Sequence, residues 1–272
     1  MLELLTYKPV IYGLILLVSA GFTFPLSGVF IIRMNLLPIR FLLMHGVLLG
    51  GALGLVTGIN PSLLSLTVNI LLILILNRVS KYLKMDYGQL TMFFMIAAIA
   101  GASILISLYN VPAKDTLSLL WGSLYVADLF SIISALILGG LIVLFSWYFF
   151  RHMTAVFFDR DVAVSMNIRA GMFEFAIMII VALVVSASMR LMGALLLDAL
   201  ILLPVVISGL FVTGLRQMML ISCLLGGLFA ISGFFISILF DIPVSAGIAI
   251  PAVFMFSVMI FLKKGVINGI KK

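Results

Sequence analysis

Apolar runs long enough to cross a lipid bilayer recur nine times along this chain, separated by short clusters of charged residues, Pro and Gly. They occupy about 9–32, 41–57, 62–77, 90–109, 132–150, 172–189, 193–213, 218–240 and 247–262. An α-helix crosses the ~30 Å hydrocarbon core in about 20 residues, so each run predicts one membrane-spanning helix. A further apolar piece at 116–128 is too interrupted to span. The runs are continuous rather than alternating, which excludes a transmembrane β-barrel. Composition points the same way: with 65% hydrophobic and 9% charged residues, too little polar surface exists to cover a soluble core. The expected fold class is all-α, a polytopic transmembrane helical bundle of eight to nine spans. Residues 1–272 form one transmembrane domain, with no soluble domain, linker or low-complexity tract.

Charge orients the bundle. With the C-terminal Lys263, Lys264, Lys271 and Lys272 placed inside, alternation of the spans puts Arg33, Arg40, Arg78, Lys81, Lys84, Arg151, Arg160, Arg169 and Arg216 on the same side. That is thirteen of the sixteen Lys and Arg residues. Lys8, Lys114 and Arg190 fall opposite. Because cytoplasmic loops carry the excess of Lys and Arg, the N-terminus is expected outside and the C-terminus inside. The net charge of +7 then reflects topology and attraction to anionic lipid, and no nucleic-acid partner is called for. No GxxxxGK[ST] motif occurs, so ATP, if it drives the process, must be bound by a partner. Two His, one Cys and neither an H-E-x-x-H nor a G-x-S-x-G motif leave no visible nucleophile and base, so the chain is not expected to be an enzyme. Cys223 stands alone within a span and can form no intrachain disulfide.

The longest polar stretch is 151–171, RHMTAVFFDRDVAVSMNIRAG. Asp159 is placed to cap a short helix with Asp161 in its first turn, and Asn167 to end it, since asparagine tolerates the left-handed conformation found at helix C-termini. Val162, Ala163 and Met166 then recur at helical spacing. Such a face suits either a groove on a partner or the lipid surface, and spacing alone leaves both open.

The order FFDRDVAVSMNI, MGALLLDALILLPVVISGLF and DIPVSAGIAIP resembles the ABC-3 family of importer permeases, the membrane subunits of zinc, manganese and iron uptake systems. The resemblance implies that Asp159 to Ile168 is a coupling helix docking into an ATPase, with Asn167 where the family usually has Gly. Asp159, Asp161, Ala163, Met166 and Asn167 are its implied coupling residues. Gly193 to Ser208, with Pro204, and the turn at Asp241 and Pro243 are similar to family segments. WGSLYVADL at 121–129 resembles the family's re-entrant segment, which implies a short re-entrant helix near 116–128. Residues 13–56 carry a weaker likeness.

Ionisable groups inside a bilayer are costly and call for a reason. His45, in MHGVLLGG, resembles the histidine of a family motif Gly-Asp-x-x-x-His, whose Asp and His coordinate the passing metal. Here the Asp is replaced by Phe41 and the Gly by Arg40. His45 is thus a candidate metal and pathway residue without its carboxylate partner, and Arg40 is either a cation that opposes a divalent ion or a marker of the cytoplasmic interface. Asp198 lies six residues before Pro204, a proline that removes the helical hydrogen bond to Leu200 and predicts a kink; its carboxylate is a candidate substrate contact. Asp128 is expected to cap the following span. The 23 Gly suit close helix packing, and the 16 Met suit gap-filling.

The resemblance implies a permease of an ATP-binding-cassette importer in the bacterial cytoplasmic membrane, working by alternating access on a divalent metal or metal complex. It implies a second permease copy or homologue, an ATPase subunit that holds ATP and Mg, an extracytoplasmic substrate-binding protein and surrounding lipid as partners. No cofactor is expected in this chain. A permease for a non-metal small solute is the alternative, and an ion-coupled secondary transporter a more distant one.

Overall fold

The computed structural model describes residues 7–112 and 129–270. Within them the chain forms thirteen helices. They are α1 (Lys8–Thr23), α2 (Pro25–Arg33), α3 (Leu37–Thr57), α4 (Pro61–Leu83), α5 (Tyr87–Leu108), α6 (Leu129–Tyr148), α7 (Phe150–Phe158), α8 (Arg160–Ser165), α9 (Ala170–Met192), α10 (Ala194–Ile201), α11 (Leu203–Phe211), α12 (Leu215–Phe240) and α13 (Val244–Ile270). No strand occurs among the described residues. Among the described residues nine stretches are long and apolar enough to cross a membrane, and each overlaps one of the nine apolar runs. The expected re-entrant helix near 116–128, and Asp128 with it, lie outside the described residues.

Local chemistry accounts for the helix ends. Asn60 accepts a hydrogen bond from the Ser62 N–H at 2.9 Å and starts α4, with Pro61 in its first turn. Asp86 does the same for α5 through the Gly88 N–H at 2.7 Å. Such caps satisfy N–H groups that have no partner within the helix. Gly193 separates α9 from α10 at φ 82° and ψ 163°, a conformation essentially reserved for glycine. Two spans are broken. Pro25 divides the first into α1 and α2, and the span holding Pro204 splits at Leu202 into α10 and α11. A helix-interior proline removes one N–H donor and crowds the preceding turn, so the expected kink appears here as a full break.

The described residues fall into two compact units, one drawn from Met1–Val29, Tyr125–Gly139 and Asp198–Lys272, the other from Phe30–Leu124 and Gly140–Leu197. In the first, glycines let backbones touch. A Cβ on Gly21 would meet Ala230 Cβ at 2.7 Å and the Gly226 carbonyl oxygen at 2.8 Å, so α1 and α12 cross in direct contact. Gly233 of α12 meets the backbone of Ile248 on α13 in the same way, and buried Ser208 and Ser222 share a 2.8 Å hydrogen bond between α11 and α12.

In the second unit, α3 packs on α4, α5 and α9. Its polar centre is Asn69, fully buried on α4, whose amide donates to the Leu43 carbonyl of α3 at 2.9 Å and to Ser186 Oγ of α9 at 2.7 Å. Gly46 presents its bare Cα to the Asn69 amide oxygen. In a bilayer, where apolar burial does not drive helix association, such packing and interhelical hydrogen bonds hold helices together.

Candidate functional site

The candidate docking element is α8, set between α7 and α9. Asp159 leaves α7 in an extended conformation and caps α8, its carboxylate accepting from the Asp161 N–H at 2.7 Å and the Val162 N–H at 3.3 Å. The other end closes at Asn167, which has φ 60°. The Asn167 N–H reaches the Val164 carbonyl at 2.9 Å and the Ile168 N–H the Ala163 carbonyl at 3.0 Å. This is the paired arrangement of a Schellman C-cap, in which a left-handed residue lets two N–H groups turn back onto the last carbonyls. A helix of six residues cannot hold itself together in water, so both caps and its packing are needed.

That packing corrects one expectation. Ala163 is fully buried, in a small core with Ala155, Val156 and Ala170, against which Phe157, Ile168 and Phe173 rest. It anchors α8 and is closed to a partner. The reason is the register: with Asp159 and Asn167 as fixed ends, Ala163 falls on the face turned to α7 and α9, where only a small side chain fits. The exposed apolar residues are instead Phe158, Val162, Val164 and Met166, with 83% of Phe158 accessible. Phe158 and Val164 were not apparent from helical spacing, because the first belongs to α7 and the second sits one residue from the buried Ala163. Asp161 is exposed in the first turn, where a negative charge favours the helix dipole.

Aromatic packing carries α7 into the bundle. Phe149 meets Phe145 and Phe173 at ring-centroid distances of 5.0 and 5.1 Å, His152 stacks on Phe173 with planes 7° apart, and Phe157 lies against Phe30. A second tie is ionic: Arg160, first residue of α8, pairs with Glu174 of α9, Nε to Oε1 at 3.3 Å.

The intramembrane candidates belong to different compact units. His45 is half-buried on α3, and its Nδ1 lies 2.7 Å from the Phe41 carbonyl oxygen. A carbonyl only accepts, so Nδ1 carries the proton and, in the neutral ring, Nε2 keeps a lone pair. His45 can therefore offer one nitrogen to a cation. Phe41, 46% exposed, offers none. Arg40 is 2% exposed, stacked over the Phe41 ring at 4.8 Å, with Nη2 3.3 Å from Met44 Sδ. It is a buried cation in the first turn of α3. Asp198 is half-buried on α10, one turn before the break at Leu202, in the other compact unit from His45. Among the described residues, no three His, Cys, Asp or Glu side chains gather as a metal site.

Fold and segment together define a class: a polytopic helical membrane protein that presents a short, doubly capped helix on an arginine-flanked segment. Residues 7–263 match the family described as the ABC 3 transport family, and the chain belongs to that family as a transport permease. It is 25% identical over 237 residues to the manganese import system permease protein ScaB of Streptococcus gordonii, covering 86% of this chain and 84% of that protein. Its identity to the high-affinity zinc uptake system membrane protein ZnuB of Haemophilus influenzae is 23% over 238 residues, 87% and 91% of the two chains. Among solved structures, PsaBC from Streptococcus pneumoniae in complex with Fab shares the fold, with a TM-score of 0.81, 21% identity, and coverage of 95% of this chain and 93% of that one.

Proposed function

We propose that this permease is the membrane subunit of an ATP-driven importer for a divalent metal ion or metal complex in a bacterial cytoplasmic membrane. It pairs with a second permease copy or homologue, takes cargo from an extracytoplasmic binding protein and docks a separate ATPase through residues 155–168. The relatives named for manganese and zinc import support the cargo class. The observation that carries the docking reading is the capped α8 with Val162, Val164 and Met166 exposed on a segment flanked by arginines.

In this reading, closure of the ATPase dimer pushes on α8 as a rigid piece. Ala163 and the Arg160–Glu174 pair pass the displacement to α9, and α9 packs on α3 and α4, which move with it. ATP thereby shifts the balance between outward- and inward-open states through its differential contact with the two. His45 offers one imidazole nitrogen, which alone holds a divalent ion weakly, and Asp198, one turn before the break at Leu202, is a separate candidate contact for cargo.

The test places charge on the exposed face and leaves the buried one alone. Val164→Asp and Met166→Asp should insert and fold normally, lose the ATPase on co-purification and lose uptake. Parental uptake with the ATPase retained would show that α8 is not the docking element.

A further inference from the structure

A cleft of about 380 Å³ opens beside α8, in the second compact unit, lined by Ser80, Lys81, Lys84, Asp86, Arg160 and Glu174 with Met85, Tyr87 and Gly171. Its position is set by three membrane-crossing helices that end or begin there: α4 at Leu83, α5 at Tyr87 and α9 at Ala170. It therefore sits at headgroup depth. We propose that this cleft binds the phosphodiester headgroup of an anionic phospholipid.

Three cations face two carboxylates in the cleft, a net charge of +1, and one of the carboxylates, Glu174, is held in an ion pair. Asp86 accepts from the Gly88 N–H, and Glu174 is held by Arg160. Lys81 and Lys84 are in no ion pair among the described residues, and both are exposed. Lys84 also occupies a left-handed position, φ 51°, where a side chain other than Gly or Asn is disfavoured; the turn projects a cation there despite that cost. The start of α9 adds to the positive potential, since its N-cap residue Arg169 supplies no side-chain acceptor to the first N–H groups. A volume in the ~300–1,000 Å³ range of ligand sites admits a headgroup.

Two sources of a phosphate are conceivable, a lipid and a soluble anion, and the surroundings favour the lipid. Met85 lines the cleft, and below it α4 and α5 present exposed Leu74, Ile75, Met92 and Phe93, a surface on which acyl chains can lie while the headgroup meets the lysines. Arg160 lines the cleft while paired with Glu174, so Lys81 and Lys84 carry the headgroup. The binding inference does not depend on what α8 docks.

The experiment is native mass spectrometry of the purified assembled complex titrated with phosphatidylglycerol and with phosphatidylcholine. Each membrane-surface cation contributes roughly fivefold in affinity, so the parent should retain phosphatidylglycerol severalfold better than phosphatidylcholine. Lys81→Gln with Lys84→Asn, the latter chosen to keep the left-handed turn, should bring the two lipids close to parity, while Arg151→Gln, on the same end but outside the cleft, should not. A photo-crosslinking residue at Met85 supplies a readout without any charge change and should capture phosphatidylglycerol preferentially. Equal retention of the two lipids by the parent, an unchanged preference in the lysine variant, or indifferent capture at Met85 would overturn the proposal. Displacement of phosphatidylglycerol by millimolar inorganic phosphate would assign the cleft to a soluble anion and overturn it as a lipid site.

Discussion

A histidine tied to its own helix and an aspartate beside a helix break have different capacities for a cation. His45 offers one nitrogen, its other ring nitrogen being held by the Phe41 carbonyl, while Asp198 brings a carboxyl group with two oxygens. Asp198→Asn should therefore reduce uptake at least tenfold and His45→Gln only a few-fold, measured as uptake per assembled complex. Loss of zinc or manganese uptake in His45→Gln with near-normal uptake in Asp198→Asn would reverse that ranking. Asn69 makes a separate case. Removing an interhelical amide in a membrane costs about 1–2 kcal/mol, so Asn69→Ala should lower the thermal unfolding midpoint in detergent, and Ser186→Ala in the same background should add little. Full additivity would show that the two side chains do not act as a pair. Asp159 and Asn167 were legible as caps because a cap is a local event. The inward turn of Ala163 was not, because it depends on α7 and α9 folding against α8, which brings Phe157, Ile168 and Phe173 around it.

Helices in this protein meet through absent side chains. Gly226 abuts the carbonyl of Gly21, and Gly233 the backbone of Ile248, contacts that cannot yield by a rotamer change. Overpacking costs about 1–3 kcal/mol where a neighbour can move, and backbone neighbours move least. Gly226→Ala and Gly233→Ala should each destabilise the protein by at least that much. Gly140→Ala, with nothing near its would-be Cβ, should be neutral or slightly stabilising. Thermal unfolding in detergent separates the three; equal behaviour would mean that the close contacts do not hold the helices. The breaks also belong to this scale. The one at Pro204 was expected from its sequence, whereas Pro25 sits inside what reads as one uninterrupted apolar run, since hydropathy registers length and not continuity of the hydrogen-bond ladder.

Orientation is a property of the entire molecule, because each span inherits its direction from the one before. With the arginine-flanked α8 inside, cysteines placed at Tyr82 and Ser165, both exposed, should resist membrane-impermeant thiol reagents in intact cells in a Cys223→Ala background. A cysteine at Ile59, exposed at the opposite end of α4, should label. Labelling at Tyr82 or Ser165 from outside would invert the topology and move the docking reading to the other face.

The existence and approximate place of the spans were legible in the sequence, each of the nine apolar runs overlapping a membrane-length stretch among the described residues, since the bilayer sets one length scale and every backbone group in it must be satisfied within its own helix. Asp159, and the end it caps, needed nothing beyond its neighbours. What only the tertiary structure decided depends on how helices pack: the burial of Arg40, the folding of α8 against α7 and α9 that buries Ala163 and pairs Arg160 with Glu174, and the meeting of Asn69 with Ser186, 117 positions away. Periodicity assigns a residue to a face of its own helix. Whether that face meets lipid, water or another helix is settled by the packing of the others.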